Sequence, residues 1–215
     1  MASPTPERLI LAAERLCAER GIDQVSLRQI AEAAGQRNPA VVQYHFGSKV
    51  DLLRAVVHYR IKPYNDRRLE LLAALDAEGR ADDMRGLVDA SIRPLAELGS
   101  SDSHYVGFVA QLTFQGLIQD VFAGVADELL GSARILQPRL AEVMRDVPLP
   151  LREMRQAAAF STALFAIARY HDQRAKGAPD PVALELFVDD LVGCVTGFLS
   201  APAPAATAGP QRHTQ

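Results

Sequence analysis

The sequence has few of the features that mark secreted, membrane-spanning or disulfide-bonded proteins. Its only two cysteines, Cys17 and Cys194, lie far apart and each falls within an apolar helical pattern, which favours buried free thiols in a reducing compartment. The least charged window, residues 156–168, is shorter than the about 20 apolar residues that a membrane-spanning helix needs. The N-terminal segment has charges within its apolar run, unlike a signal peptide. We therefore expect a cytoplasmic protein with no membrane partner.

Patterns typical of catalysis and of metal binding are also missing. No pair of acidic residues has a spacing that indicates acid–base catalysis, and no glycine-rich phosphate loop is present. His45 has no second histidine or cysteine at ligand spacing. The sequence therefore predicts no catalytic residues, no metal and no cofactor, and a protein that is not an enzyme.

Charge is unevenly distributed along a chain of 215 residues with a formal net charge of −3. Residues 1–62 contain nine Lys and Arg against six Asp and Glu, a balance of +3, and the remainder has a balance of −6. A basic N-terminal part on an acidic body permits a local anionic partner, although the chain as a whole is no polycation.

Apolar residues follow a helical period almost throughout, and no segment alternates like a strand. Thr5-Pro6 and Asn38-Pro39 are typical helix starts, and Ser26 with Gln29 has the spacing of a capping box. Ser48 is expected to cap a fourth helix that ends or kinks at Pro63. Further helices are predicted near 64–77, 82–98, 103–119, 120–145, 150–176 and 181–199, the last again with a cap-plus-proline start, Asp180-Pro181.

Two short predicted helices, 26–34 and 39–45, are joined by a turn at Gly35 and form a helix-turn-helix pattern. In DNA-binding proteins the second helix of this pattern enters the major groove. Gln43 suits adenine, and Arg37 suits guanine or a phosphate, whereas Asn38 suits a base contact or a helix cap. The side chains suited to phosphate contacts are Ser26, Tyr44, His45 and Lys49. An αα-hairpin with a solvated polar face would give the same pattern.

The run SLRQIAEAAG, followed by VVQYHFGSKVDLL and preceded by the helix LILAAERLCAERGIDQVS, resembles the N-terminal domain of the TetR family of bacterial transcriptional regulators. The resemblance covers residues 6–57. It implies that Ser26, Tyr44, His45 and Lys49 hold the DNA backbone and that Arg28 and Gln43 face bases. Between Gly35 and Phe46 the sequence has one residue more than the usual family pattern, so the register of Arg37 and Asn38 stays open.

The resemblance also implies the organisation of the whole chain. We expect an all-α fold with an N-terminal three-helix helix-turn-helix DNA-binding domain, residues 1–47, and a C-terminal helical-bundle domain for ligand binding and dimerisation, residues 48–199. The Ala- and Pro-rich tail, residues 200–215, is expected to be disordered.

Two C-terminal segments have features of a homodimer interface. The segment 157–168 is uncharged and apolar all round, and the last helix carries a wide apolar stripe. Both helices could instead fill the core of one monomer. The predicted interface residues are Phe160, Leu164, Ile167, Leu184, Val188, Leu191, Val195 and Phe198.

Aromatic residues and amides concentrate in residues 103–122, a composition that suits a pocket for a mostly apolar small molecule, although plain core is the alternative. The predicted ligand-binding residues are Tyr105, Phe108, Gln111, Phe114, Gln115, Phe122, Arg169 and His171.

The sequence thus predicts a sequence-specific, dimeric transcriptional repressor that a small-molecule effector releases from a palindromic double-stranded DNA operator. Two alternatives stay open. The chain could be an all-helical small-molecule-binding protein or enzyme that uses the helix-turn-helix only as scaffold, or an adaptor that binds another polypeptide.

Overall fold

The computed structural model describes residues 5–99, 104–123, 125, 130–177 and 182–203. Within these residues the chain forms helices and no strands, which confirms the predicted all-α class. The helices are α1 (Thr5–Arg20), α2 (Leu27–Ala33), α3 (Ala40–Phe46), α4 (Lys49–Ala77), α5 (Met84–Gly99), α6 (Tyr105–Phe114), α7 (Ile118–Phe122), α8 (Gly131–Val143), α9 (Leu149–Ala175) and α10 (Leu184–Ser200).

Local capping sets the boundaries of the first helices. Ser26 and Gln29 form the predicted capping box, in which the Ser26 hydroxyl accepts from the Gln29 N–H at 3.2 Å and the Gln29 Oε1 accepts from the Ser26 N–H at 2.8 Å. The recognition-helix candidate begins at Ala40, one residue later than predicted, with Pro39 rather than Asn38 at its N-cap position, and Asn38 Oδ1 accepts from the Ala40 N–H at 3.0 Å. Ser48 caps α4, as predicted, by accepting from the Asp51 N–H.

The fourth helix is longer than the sequence suggested. The prediction that it ends near Pro63 is wrong, because α4 continues through this proline for 29 residues. Proline removes one backbone hydrogen bond, but the side chains on either side of it, Ile61 and Tyr64, are buried, and α4 packs against α1, α5, α7 and α8. A helix of this length spans about 44 Å and connects the N-terminal helices to the far end of the chain.

Three other predicted boundaries change. The segment predicted as one helix over 103–119 divides at Gly116, whose φ of +70° ends α6 and allows α7 to start. The predicted helix 120–145 is also wrong, because α7 ends at Phe122 and α8 starts at Gly131. The last helix, α10, starts after Ala183. The predicted Asp180-Pro181 cap and most of the predicted tail, residues 204–215, lie outside the described residues.

One continuous apolar core joins the N-terminal helices to the C-terminal ones. It includes Leu9 of α1, Val42 of α3, Phe108 of α6, Leu164 of α9 and Val192 of α10. Helix α1 packs directly on α6, and α6 packs on α9. The predicted division at residues 47/48 therefore falls between segments that share a core, and the domain limits stay a prediction.

Candidate nucleic-acid interface

Helix α3 has one buried side and one polar side. Val42 is completely buried, and Val41 and Phe46 pack against the core. On the other side Gln43, Tyr44 and His45 are exposed, and Tyr44 is 84% exposed. The core thus fixes the helix, while its free side presents groups that can reach base edges and phosphates.

The turn before α3 is also well defined. Gly35 has a φ of +74°, a conformation that favours glycine, and the Gln36 N–H donates to the Ala31 carbonyl at 2.9 Å to close the end of α2. Asn38 makes the side-chain bond to the Ala40 N–H described above. Arg37 lies exposed between these two points, and no ion pair of the described residues involves it. The residue that distinguishes this turn from the usual family pattern thus falls in an ordered, capped connection.

Arg28 lies on the exposed surface of α2, next to an acid. Its Nε is 2.8 Å from Glu32 Oε1, one helical turn away. The hydrogen bond with Glu32 raises the pKa of the Arg28 guanidinium. Arg28 must exchange this carboxylate for a base or a phosphate if it contacts DNA.

Lys49 has an internal role that sequence reasoning missed. Its Nζ donates to the carbonyl oxygens of Ile22 and Val25, both at 2.6 Å. The sequence had suggested that a phosphate offsets the unfavourable position of this cation at the start of a helix, whereas the structure supplies two carbonyl oxygens. These bonds tie the start of α4 to the α1–α2 connection and leave one N–H for a phosphate, so the DNA contact of Lys49 stays a prediction.

Substitution of Lys49 by methionine should therefore destabilise the fold. We expect the free energy of unfolding to fall by about 2 kcal/mol, since two charge-assisted hydrogen bonds are lost, and chemical denaturation measures this directly. Lys62→Met is the matched control, because Lys62 is 71% exposed and pairs only with Asp66 on the same helix. Equal stability of the two variants would contradict the internal role.

The predicted ligand-binding residues do not share one environment. Tyr105 and Phe108 are completely buried core residues, and Phe122 packs against the core, but Phe114 is 77% exposed. Aromatic residues at helical spacing occur both in ligand pockets and in the core, so the sequence pattern does not tell the two apart. Here Tyr105 and Phe108 belong to the core.

The two predicted amide ligands lie at the junction with α1. A β-carbon on Gly21 would lie 3.6 Å from Gln111 Oε1 and 3.8 Å from Gln115 Nε2. Gln115 Oε1 is buried without a hydrogen-bond partner among the described residues. Gln111 and Gln115 therefore face the end of α1.

The two polar residues predicted from α9 also separate. Arg169 is exposed, whereas His171 is half-buried with its Nε2 3.0 Å from the Ala96 carbonyl oxygen. Burial lowers the pKa of His171, and the bond to Ala96 opposes this shift. His171 thus holds α9 against the end of α5.

A buried acid, Glu14, connects three helices and was not identified from the sequence. It is 1% exposed, and it accepts from Arg60 of α4 at 2.7 and 3.2 Å and from the backbone N–H of His104 at 2.8 Å. Its position within the inward stripe of α1 was the available signal, since a buried carboxylate requires a charged partner. We refer to Glu14, Arg60 and the His104 N–H as the α1–α4–α6 junction.

The predicted dimer residues divide between core and surface. Phe160 and Phe198 are exposed, at 38% and 48%. The inward stripe of each helix belongs to the chain's own core: Leu164, Ile167, Val188, Leu191 and Val195 are buried, and Leu184 packs against this core. A surface missed by the prediction lies opposite, with exposed Met154, Phe165 and Leu186.

Two features are absent from the part of the chain that the structure describes. No group of three or more His, Cys, Asp or Glu side chains there is arranged for a metal ion. No helix there has the length and apolarity needed to cross a membrane.

Helices α1–α3 together make a helix-turn-helix unit of the DNA-binding class. Residues 9–56, which run from α1 into α4, match the family model described as "Bacterial regulatory proteins, tetR family". The N-terminal helices thus match the tetR family of bacterial regulatory proteins, as their sequence indicated.

Solved structures extend the likeness over the whole chain. A TetR family transcription regulator from Marinobacter aquaeolei VT8 is 18% identical with a TM-score of 0.56, and the match covers 90% of this chain and 94% of that one. The fatty acid degradation regulator FadR from Bacillus halodurans is 19% identical with a TM-score of 0.55, covering 94% and 100%. The TetR family regulator PfmR from Thermus thermophilus is 21% identical with a TM-score of 0.52, covering 88% and 97%.

These identities establish the fold alone. The chain has the fold of TetR-family transcriptional regulators over nearly its full length. A search of curated proteins finds no significant match to the sequence.

Proposed function

We propose that the protein is a cytoplasmic, dimeric transcriptional repressor that binds a specific DNA operator and leaves it when a small, mostly apolar molecule binds the C-terminal helices. The observation that carries the proposal is the construction of α3, whose buried side is anchored in the core while Gln43, Tyr44 and His45 face outward. In this role the protein binds ligands and catalyses no reaction.

The division of contacts follows from residue chemistry. Helix α3 lies in the major groove, where the Gln43 amide can bond an adenine edge at two points. Tyr44 and His45 contact phosphates beside it, as does the third N–H of Lys49, and Ser26 does so at the start of α2. Arg28 and Arg37 approach bases or backbone from α2 and from the turn.

A dimer accounts for the short length of the recognition helix. One helix of seven residues offers few base contacts, whereas two copies related by a two-fold axis read a palindrome. The outer face of α9 and α10, which exposes Met154, Phe160, Phe165, Cys194 and Phe198, supplies an apolar surface for the second copy. Gly197 leaves open space on this face for close helix approach.

Release by a ligand requires contacts that couple the positions of the C-terminal helices to the position of α3. The α1–α4–α6 junction joins the start of α6 to α1 through Glu14, and α4 through Arg60. A ligand that favours a different position of α4 or α6 thereby shifts α1 and the helices packed on it. DNA and ligand then oppose each other through one coupling free energy, typically ~1–3 kcal/mol.

Duplex binding over a salt series tests the DNA-binding role. The logarithm of the binding constant should fall steeply and linearly with the logarithm of salt concentration, with a slope of about −0.9 for each phosphate contact. Arg37→Ala should flatten the slope by about one unit. Arg145→Ala is the control, because Arg145 is 70% exposed on the C-terminal part and pairs with Glu142. A slope near zero for the wild type would favour the scaffold or adaptor alternatives.

Gln43→Ala tests base recognition separately from phosphate contacts. The variant should lose about 1–3 kcal/mol of discrimination at one base pair of each half-site, while its salt slope stays unchanged. Binding to single-base variants of the selected site measures this. Gln119→Ala, which removes an exposed amide from α7, should leave the specificity profile as in the wild type. An unaltered profile for Gln43→Ala would remove Gln43 from the site.

A further inference from the structure

A buried polar stripe follows one face of α4. Arg60, Tyr64 and Arg68 are spaced four residues apart and so lie above one another on the helix. Tyr64 and Arg68 are 7% and 8% exposed, and Asn65 beside them is 5% exposed. The stripe begins at the α1–α4–α6 junction and ends among the C-terminal helices.

Arg68 is a buried cation whose described partners are all neutral. Its Nε donates to Ser132 Oγ of α8 at 2.7 Å, and its Nη1 donates to the Tyr64 hydroxyl at 2.8 Å. The guanidinium also lies 4.5 Å from the centre of the Tyr64 ring. By contrast, Arg60 and Arg67 of the same helix lie 2.7 and 2.9 Å from carboxylate oxygens. A buried charge without a counter-ion is costly, so this site is suited to an anion.

Most of the remaining hydrogen-bonding capacity around Arg68 consists of donors. A guanidinium has five N–H groups, of which the two bonds above use two. The hydroxyls of Ser132 and Tyr64 accept from Arg68, which leaves each of them an O–H group to donate and one lone pair. Asn65 Oδ1 accepts from the Ser132 N–H at 2.9 Å, which leaves its amide NH2 and one lone pair. Because the three free guanidinium N–H groups can only donate, this set suits a ligand that accepts hydrogen bonds, and an anion is the best acceptor.

The start of α8 adds a second positive potential at the same place. Ser132 is the second residue of this 13-residue helix, whose first turn has no acidic residue, and its N–H donates to Asn65 Oδ1 of α4. The dipole at a helix start attracts anions. Arg68 and the start of α8 therefore converge on one point between α4 and α8.

We infer that this point, formed by Arg68, Tyr64, Asn65 and Ser132, binds the carboxylate of a small monocarboxylic acid with an apolar body. One guanidinium balances one negative charge, and its planar fork matches a carboxylate. Leucines of α4 and α8, Leu72, Leu136 and Leu140, pack into a buried apolar cluster next to it, and the ligand's body must move these side chains apart to bind. This inference rests on the proposed ligand-responsive function and gives its effector a chemical class.

The position also explains how such a ligand would act on DNA binding. Arg68 and Arg60 are eight residues apart on one helix, which corresponds to about 12 Å. A carboxylate that draws Arg68 toward α8 thus moves the same helix that holds Glu14 through Arg60. The proposed carboxylate site at Arg68 and the α1–α4–α6 junction at Arg60 are therefore connected by one helix, α4.

Matched acid and amide probes test the inference without DNA. Benzoate and hexanoate should bind the wild-type protein and raise its melting temperature by about 5 °C or more at 100 times Kd, whereas benzamide and hexanamide should not. Binding should also change the intrinsic tyrosine fluorescence, because the chain contains no tryptophan and Tyr64 lies in the site.

Variants of neighbouring arginines localise the effect. Arg68→Met should weaken benzoate binding by about 30-fold or more, and Arg68→Lys, which keeps the charge, should weaken it less. Arg67→Met is the matched control, since Arg67 is 40% exposed and pairs with Glu70 and Glu97, and it should bind benzoate as the wild type does. Equal binding of benzoate by wild type and by both Arg68 variants would overturn the inference.

An internal counter-ion would also overturn it. Asp127 and Glu128 precede α8 in the sequence. If the wild type ignored benzoate but the double variant D127N/E128Q bound it, Arg68 would be neutralised by the chain itself. Operator binding separates this failure from failure of the proposed function. If the wild type does not bind benzoate but binds DNA in a salt-dependent way, only the proposed carboxylate site is refuted. If benzoate binds but leaves the DNA affinity unchanged, the release mechanism is refuted.

Discussion

Phe165→Glu is expected to convert the proposed dimer into monomers and to weaken operator binding about a thousandfold. Phe165 is 44% exposed on the outer face of α9, close in sequence to the exposed Phe160. A carboxylate there would be buried without a partner in a two-fold interface and would meet its own copy across the axis. Loss of the second half-site removes the gain from bivalent binding, which reaches about 10²–10⁴.

Sedimentation velocity and operator titration measure the two effects. Phe114→Glu is the matched control, because Phe114 is 77% exposed on α6 rather than on the α9–α10 surface, and it should stay dimeric. A Phe165→Glu variant that remains a dimer with wild-type operator affinity would place the interface elsewhere.

The two cysteines provide a probe of the same surface. Cys17 is buried, as predicted, and burial raises the pKa of its thiol to about 11. The prediction that Cys194 is also buried is wrong, because this residue of α10 is exposed. A thiol reagent should therefore label Cys194 in the monomeric variant and label it much more slowly in the wild-type dimer. Equal labelling rates would contradict a dimer through α10.

Glu14→Ala is expected to cause the largest loss of stability. Removal of the carboxylate leaves Arg60 and the His104 N–H without their shared acceptor in the interior. We expect the free energy of unfolding to fall by about 3 kcal/mol, which lowers the melting temperature by about 6–12 °C for a chain of this length. Chemical denaturation of the single variants and of Glu14→Ala/Arg60→Ala gives the coupling between the two side chains.

A surface ion pair serves as the control for Glu14. Glu32 pairs with Arg28 at a similar distance but is 55% exposed, so Glu32→Ala should change stability by no more than about 0.5 kcal/mol. A loss for Glu14→Ala as small as that for Glu32→Ala would show that the junction contributes nothing to the fold, and the route proposed for ligand release would lose its physical basis.

Local signals explain why the N-terminal part was predictable. The Ser26 capping box, the Asn38 side-chain bond to Ala40 and the glycine turn at Gly35 each act within a few residues, so the sequence contains the whole interaction. The polar side of α3 was visible for the same reason. The role of Lys49 was not, because its acceptors, Ile22 and Val25, lie more than 20 residues away.

Packing decided what the sequence could not. Pro63 is compatible with a continuous α4 only because neighbouring helices hold both flanks. An apolar stripe has the same period whether it faces the core or a partner, so Leu164 and Val188 were assigned to an interface although they are buried in the monomer. The fold class and the helix-turn-helix followed from pattern, whereas the exposed surface of α9 and α10, the junction at Glu14 and the buried Arg68 required the structure.

Selection of bound duplexes from a random pool tests the central claim most directly. If α3 is the recognition helix of a two-fold dimer, we expect enrichment of one sequence with two inverted half-sites. The centres of the half-sites should lie about 34–36 Å apart, which is one turn of DNA, or a multiple of this distance. That result would establish specific binding and the two-fold dimer together. A pool that shows no enrichment after repeated rounds, while the protein remains folded, would contradict the assignment of α3 as a recognition helix.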